Sequence, residues 1–185
     1  MAGTIDDLYK QAATSFASIA NTEEPKFGSN GGTWAEDLAL QNLQARSRMV
    51  LAYTLSQLLM WRFGKEGYLL VLGSGNLDQG LRGYLTKWDC SSADLNPIGC
   101  VNKKYLKEML TWVGDNMGYP ALHEVIRATP TAELRPLGNE GDIVQDDETD
   151  MGMTYAELAE YGSLRKQHHC GPVSMFNMLL DRWGK

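Results

Sequence analysis

A lysine, several hydroxyls and two carboxylates are concentrated in one short segment, Thr86–Asp94, which has the sequence TKWDCSSAD. Side chains of these types can hold a polar, charged ligand, and in open α/β sheets ligands bind in loops that follow the strands. Lys103 lies nine residues beyond Asp94, at the predicted start of a helix, where the helix dipole disfavours a cation. We interpret Lys103 either as a residue with an anionic partner or as an ordinary exposed lysine.

A glycine-bearing turn, Gly73–Gly83, precedes that loop and has the sequence GSGNLDQGLRG. A strand-to-helix turn of this kind can receive a phosphate through its backbone N–H groups and the helix N-terminus. It matches neither the G-x-G-x-x-G pattern nor the Walker A pattern. Two interpretations stay open: a phosphate-binding turn, or a tight turn that lets the helix pack closely on the sheet.

Two other clusters could suggest metal binding, but their spacing argues against it. The adjacent residues His168–Cys170 could hardly converge on one ion. The acidic stretch Glu140–Met151 lacks the central glycine and terminal glutamate of a calcium loop. We expect that stretch to be a solvated loop, or a loop that closes over a ligand.

Several helices must position these residues. A T-x-x-E capping box at Thr33 predicts a long helix over 33–64, and a second box at Thr154 predicts another. Further helices are expected over 6–20, over 103–115 with Asn102 as N-cap, from Pro120, and from Pro172 to about Trp183. Both faces of the long helix carry apolar residues, so it is either a central core helix or partly an interface with a second subunit.

One apolar run, Tyr68–Gly73, has the length and composition of a strand buried on both faces of a parallel sheet. No other segment gives a strong strand signal. Since a buried strand must hydrogen-bond to neighbours, we expect the other strands of its sheet to lie outside this chain.

The composition is that of an ordinary globular domain, with 185 residues, 43% hydrophobic residues and a net charge of −6. Clustered Lys and Arg are missing, which argues against a nucleic-acid surface. No apolar run approaches the ~20 residues that a membrane span needs. That finding, with an N-terminus that has neither a basic n-region nor an apolar h-region, predicts a cytoplasmic protein. The three cysteines show no C-x-x-C spacing, so we expect reduced thiols and no zinc site.

Five strings, in order, carry a resemblance to a known family: LALQNLQARSRM (38–49), LVLGSGNLDQGLRGYLTKWDCSSADLNPIG (70–99), TPTAEL (129–134), DETDMGMTYAELAEYG (147–162) and GPVSMF (171–176). Together they resemble glutamine-dependent NAD synthetases, from about Ile5 to Trp183. The string GPVSMF favours the glutamine-using, eukaryote-like branch over the short ammonia-using one.

The resemblance implies an α/β fold, specifically a helix-rich portion of a Rossmann-like ATP-pyrophosphatase (adenine nucleotide alpha-hydrolase-like) domain. It also implies ATP-dependent amidation of deamido-NAD to NAD through an adenylylated intermediate, with Mg²⁺ as cofactor and glutamine or ammonia as nitrogen source. By motif position, deamido-NAD binding would fall on Arg46, Lys87 and Asp94, and ATP binding on Ser74, Lys103 and Thr131. The resemblance identifies no catalytic side chain. The implied partners are nucleotide substrates, a second copy through the long helix and a glutamine amidohydrolase domain.

The chain departs from the family pattern in three respects. The S-G-G-x-D-S loop that holds ATP is not found in the sequence, and Gly28–Thr33 does not match it. Gln79 stands where the family has a magnesium-binding glutamate, and an amide coordinates magnesium more weakly than a carboxylate. The amidohydrolase domain and a C-terminal His-Lys segment are expected beyond the ends of this chain.

We therefore expect residues 1–185 to form part of one synthetase domain. Its parts would be the long helix 33–64 as a possible dimer interface, a strand and substrate loop over 68–99, and an acidic loop over 140–151. The isolated chain is expected to be inactive. The alternative is a non-catalytic dinucleotide-binding or assembly module derived from the same family.

Overall fold

The computed structural model describes residues 2–136 and 145–184. These residues form eight α-helices: α1 Ala2–Ala20, α2 Trp34–Arg62, α3 Leu77–Arg82, α4 Lys103–Asn116, α5 Leu122–Arg127, α6 Asp147–Met151, α7 Tyr155–Lys166 and α8 Pro172–Trp183. Two short 3₁₀ helices, Gly28–Asn30 and Cys90–Ser92, interrupt the loops. The chain divides into two compact units, each built from segments that are discontinuous in sequence.

The first unit comprises the described residues of Met1–Gly75, Leu85–Ile98 and Thr131–Gln145. Its centre is α2, which begins with the predicted capping box: the Thr33 side chain accepts from the Glu36 N–H, and the Glu36 carboxylate accepts from the Thr33 N–H. Helix α1 packs on α2 around a small core of Ala13, Phe27 and Leu40, with Tyr9 against it.

The second unit comprises Asn76–Tyr84, Gly99–Pro130 and the described residues of Asp146–Lys185. It has two cores: one of Met151, Tyr155 and Leu158, the other of Leu164, Cys170 and Leu179. Helices α3 and α7 approach so closely that a Cβ on Gly162 would lie 2.7 Å from Leu81 Cδ1. A glycine at position 162 therefore permits this helix crossing.

The helix predictions are confirmed, with shifts at some ends. Helix α1 begins at Ala2 rather than Asp6, and the short helix expected from Pro120 begins at Leu122. Asn102 caps α4 as predicted, since its Oδ1 accepts from the Tyr105 N–H at 2.8 Å.

Two sequence-based expectations are wrong. Leu69, Leu70 and Leu72 are 44%, 59% and 60% exposed, and in the described residues this segment pairs only through one parallel bridge, Leu72 to Leu95. Burial of a strand requires neighbours on its edges and faces, and the described chain supplies a neighbour only at Leu95.

The acidic stretch is not a loop throughout, because Asp147–Met151 forms α6; residues 140–144 lie outside the described part. Asp146 caps this helix by accepting from the Thr149 N–H at 2.9 Å.

Candidate functional site

Two of the predicted deamido-NAD residues meet in the first unit. The guanidinium of Arg46, on α2, donates from Nε to the main-chain oxygen of Lys87 at 3.0 Å. The Lys87 ammonium lies 5.1 Å from the centroid of the Trp88 ring, within cation–π range. Arg46 and Lys87 are both exposed, so the side chains of two basic residues that are joined through the main chain are accessible to a ligand.

Asp94, the third predicted deamido-NAD residue, anchors the same loop. Its Oδ1 accepts from the Tyr53 hydroxyl at 3.2 Å, and its Oδ2 accepts from the Val71 N–H at 2.9 Å. Burial, followed by the hydrogen bond to Asp94, raises the pKa of the Tyr53 hydroxyl, which therefore stays a neutral donor at physiological pH. Each carboxylate oxygen has a second lone pair, so Asp94 can still accept from a ligand.

The loop itself is built around Asp89. Its Oδ2 accepts from the Thr86 N–H at 2.8 Å and its Oδ1 accepts from the Ser91 N–H at 2.8 Å. The buried Thr86 hydroxyl donates to Asn42 Oδ1 on α2 at 2.7 Å. Hydrogen bonds on both sides of Lys87 thus fix the backbone that presents it.

Ser74 and Thr131, predicted for ATP, also belong to the first unit. Ser74 is exposed and follows Gly73, where a Cβ would lie 3.2 Å from the main-chain oxygen of Cys90. Thr131 Oγ1 accepts from the Glu133 N–H at 3.1 Å. Arg48 on α2 donates to the main-chain oxygens of Ala132 and Glu133, which fixes this turn.

A cavity of about 950 Å³ lies within the first unit. Its size is in the range of small-molecule sites. Apolar side chains of α2 and the segment Leu69–Val71 form much of its wall, and Arg48, Arg135 and Thr131 contribute polar groups.

Lys103, the remaining predicted ATP residue, belongs to the second unit and lies in a buried polar cluster. The Asp78 carboxylate accepts from the Lys103 main-chain N–H at 2.7 Å. The Lys103 ammonium lies 5.5 Å from the centroid of the Tyr155 ring, and the Tyr155 hydroxyl donates to Asp147 Oδ2 at 2.9 Å. Asp78 and Asp147 are 1% and 2% exposed, and Oδ1 of each is buried without a hydrogen-bond partner.

Burial dominates the electrostatics of this cluster. It lowers the pKa of the Lys103 ammonium and raises the pKa of the Asp78 carboxyl, because a charged group is less favourable away from water. It also raises the pKa of Tyr155 far above its ordinary value, and the hydrogen bond to Asp147 acts in the same direction. The attraction of Asp147 and Asp78 partly offsets the shift of Lys103.

Gln79 acts here as a helix cap and does not suit a magnesium ion. Its Oε1 accepts from the Asn76 N–H at 3.1 Å, and its Nε2 donates to Asp147 Oδ2 at 3.4 Å. The amide nitrogen cannot bind a cation. The amide oxygen keeps one lone pair beyond the Asn76 N–H, but it is neutral, and magnesium binds a neutral amide more weakly than a carboxylate. In residues 2–136 and 145–184, no group of three or more His, Cys, Asp or Glu side chains could hold a metal ion.

The sequence did not identify Arg48, Asp78, Asp147 or Tyr155 as parts of these clusters. Asp147 was expected in a solvated loop or a loop closing over a ligand, because no local pattern separates a buried carboxylate from its exposed neighbours. A signal for Asn76 and Gln79 was present, since N-x-x-Q has the form of a capping box. Cys90, Cys100 and Cys170 are free, and Cys170 is a buried core residue.

The comparisons with known proteins agree with these motifs. The sequence model of the NAD synthase family matches residues 5–173. The chain is 52% identical over 180 residues to the glutamine-dependent NAD(+) synthetase of Arabidopsis thaliana, covering 97% of this chain and 24% of that protein. It is 55% identical over 159 residues to the enzyme of that name from Drosophila melanogaster, and this alignment covers 86% of this chain and 20% of that protein.

Two solved structures share the fold. A glutamine-dependent NAD(+) synthetase from Cytophaga hutchinsonii has a TM-score of 0.65 at 21% identity, over 96% of this chain and 24% of that one. NMN synthetase from Francisella tularensis has a TM-score of 0.53 at 21% identity, over 94% of this chain and 67% of that one. The helix-rich architecture is thus a portion of the α/β domain of these synthetases.

Among the described residues, no helix combines the length and apolarity needed to cross a bilayer. The chain spans about a quarter of the length of curated relatives such as the Arabidopsis enzyme. Because the family model covers nearly the whole sequence and the relatives align across it at about half identity, this chain belongs to the NAD synthase family.

Proposed function

We propose that this chain is part of a glutamine-dependent NAD synthetase and binds deamido-NAD for its ATP-dependent conversion to NAD. The observation that carries the proposal is the joining of Arg46 and Lys87 by a 3.0 Å hydrogen bond on the loop that Asp94 anchors. Two exposed cations and a carboxylate suit a dinucleotide, whose phosphates are anionic and whose nicotinate end offers polar atoms.

In the proposed reaction, the nicotinate carboxylate attacks the α-phosphorus of ATP and releases pyrophosphate. Ammonia then attacks the acyl adenylate, forming the amide of NAD and releasing AMP. Arg46 and Lys87 would orient the dinucleotide, because the guanidinium has further N–H donors beyond the one given to Lys87. Asp94 would accept a hydrogen bond near the nicotinate end.

For ATP, the proposed contacts in the first unit are Ser74 and Thr131, of which Thr131 lines the cavity. In the second unit the proposed contact is Lys103, whose half-buried ammonium is well suited to a phosphate. Magnesium would neutralise phosphate charge in such a reaction, but the neutral amide of Gln79 is a weaker ligand for it than a carboxylate.

We extend the proposal to two partners. A second copy of the chain would pack on α2, where Val50, Leu58 and Trp61 are 63%, 52% and 76% exposed on one face. A glutamine amidohydrolase domain would supply ammonia. A cytoplasmic location stays a prediction from the sequence.

The second candidate is a non-catalytic dinucleotide-binding or assembly module of the same family. The neutral side chain of Gln79, which also caps α3, favours it, since this position offers magnesium only an amide oxygen in place of a carboxylate. Formation of AMP from ATP, deamido-NAD and ammonium by the protein purified from its source cells separates the two, because only the ligase makes it.

Calorimetric titration of the full chain with deamido-NAD tests the shared part of both proposals. We expect saturable binding that is lost in Lys87→Ala and in Asp94→Ala. The matched control is Lys65→Ala, which removes an exposed lysine of the same unit and should bind normally. Failure of the wild-type chain to bind, or equal binding by Lys87→Ala, would contradict the dinucleotide site and leave only an interaction role.

A further inference from the structure

Lys103 is held at its backbone by Asp78. It is the first residue of α4, a 14-residue helix. Its main-chain N–H therefore has no carbonyl within the helix as a hydrogen-bond partner. The Asp78 carboxylate, in α3, takes this N–H at 2.7 Å. A carboxylate at a helix N-terminus is also favoured by the helix dipole. The start of α4 is thereby fixed to α3.

The Lys103 side chain is held separately, by Tyr155. Its ammonium lies 5.5 Å from the Tyr155 ring centroid, and that ring belongs to the core with Met151 and Leu158. The Tyr155 hydroxyl donates to Asp147 Oδ2 at 2.9 Å, so Asp147 sets the position of the ring. Asp147 is itself fixed, because its N–H donates to the Pro130 oxygen at 3.0 Å.

These contacts maintain a cation where two effects oppose it. Burial disfavours the ammonium, and the N-terminus of α4 repels positive charge. Asp78 and Asp147 attract it, although each buries a carboxylate oxygen that has no hydrogen-bond partner. Burying a carboxylate away from water costs free energy. Two buried carboxylates beside one lysine are therefore poorly explained by core packing alone.

We propose that Asp78, Asp147 and Tyr155 are positioning residues that hold the Lys103 ammonium in one orientation, ready for a phosphate of the nucleotide. Asp78 fixes the backbone, while Asp147 fixes the ring beneath the side chain. The phosphate part rests on the proposed function; the ordering of Lys103 does not.

The ordering of Lys103 can be observed directly by NMR of the full chain with ¹³C-ε-labelled lysine. An ammonium stem above an aromatic ring gives methylene protons shifted upfield by the ring current. The Lys103 signal is assigned by its loss in Lys103→Arg. We expect two variants to move this signal toward the position of an exposed lysine. Tyr155→Phe keeps the ring and removes the hydrogen bond to Asp147, and Asp147→Leu removes the acceptor.

Two variants guard against a general structural effect. Asp147→Asn keeps an oxygen that can accept from the Tyr155 hydroxyl, so it should retain the upfield signal. Tyr84→Phe removes a hydroxyl from another tyrosine on the same core and should leave Lys103 unchanged. Tyr155→Phe removes a single hydroxyl, so it decides the positioning role by itself if Asp147→Leu fails to fold.

Nucleotide affinity tests the phosphate part. We expect Tyr155→Phe to reduce the preference for ATP over adenosine by roughly three- to tenfold, as for a weakened hydrogen bond to a charged group. Adenosine lacks phosphates, so the affinity for adenosine should be unchanged. Loss of structure would instead weaken the binding of both ATP and adenosine.

The outcomes separate the two proposals. An unchanged Lys103 signal in both Tyr155→Phe and Asp147→Leu would overturn the positioning role. A signal that responds as expected, with an ATP preference that Lys103→Ala does not alter, would support the positioning network and overturn the nucleotide role of Lys103.

Discussion

At the scale of single residues, Gln79 decides the charge of the cluster around Asp147. Its Nε2 donates to Asp147 Oδ2 at 3.4 Å, while its Oε1 completes the capping box of α3. A glutamate here could still accept from the Asn76 N–H, so the cap would survive. It would also place a second carboxylate against a buried one, which is unfavourable unless a cation joins them.

We therefore expect Gln79→Glu to lower the free energy of unfolding by roughly 1–3 kcal/mol in metal-free buffer. Magnesium should restore part of this loss, because a ligand that binds only the folded state stabilises it. Thermal denaturation with and without Mg²⁺ measures both effects. Gln11→Glu, on the exposed surface of α1, is the control. A Gln79→Glu protein that is indifferent to magnesium would remove position 79 from any metal site.

The sequence singled out Lys87, Asp94 and Lys103 as candidates because lysines and acids in an irregular loop, or a cation at a helix start, are locally unusual. It could not identify Asp147. In the run DDETD, Asp146 caps α6 and Asp147 points into a core with 2% exposure, and this difference depends on α7 packing against the run. Arg48 was missed for the same reason, since its partners, Ala132 and Glu133, are more than 80 residues away.

At the scale of elements, helices were predictable because their ends are specified locally. The T-x-x-E boxes at Thr33 and Thr154 and the asparagine cap of α4 all form as the sequence indicates. The segment Tyr68–Gly73 has strand composition but makes one parallel bridge in the described chain. Strand burial depends on non-local partners, which composition cannot reveal.

Helix α2 also carries the proposed contact with a second copy. Val50, Leu58 and Trp61 lie within one face by helical spacing and are exposed. We expect the full chain to sediment as a dimer and Leu58→Glu to shift it to monomer, because a charge would be buried in the interface. Trp34→Glu, which alters an exposed tryptophan on another side of α2, should remain dimeric. A monomeric wild-type chain would contradict this contact.

At the scale of the whole molecule, the two units could not be derived from the sequence. Each is assembled from separate stretches, and the boundaries at Gly75–Asn76 and Gln145–Asp146 fall where no change of composition marks them. Family membership, in contrast, was readable from five ordered strings, and the family model covers residues 5–173.

The central claim is that this chain works as part of a longer glutamine-dependent synthetase. The most direct test is the mass of the protein in its source cells, detected with an antibody against the peptide Asp146–Glu160. We predict a species several times larger than the 20.6 kDa of this chain, since the chain spans 24% of the Arabidopsis relative. A single species at 20.6 kDa would contradict the claim and favour the non-catalytic module.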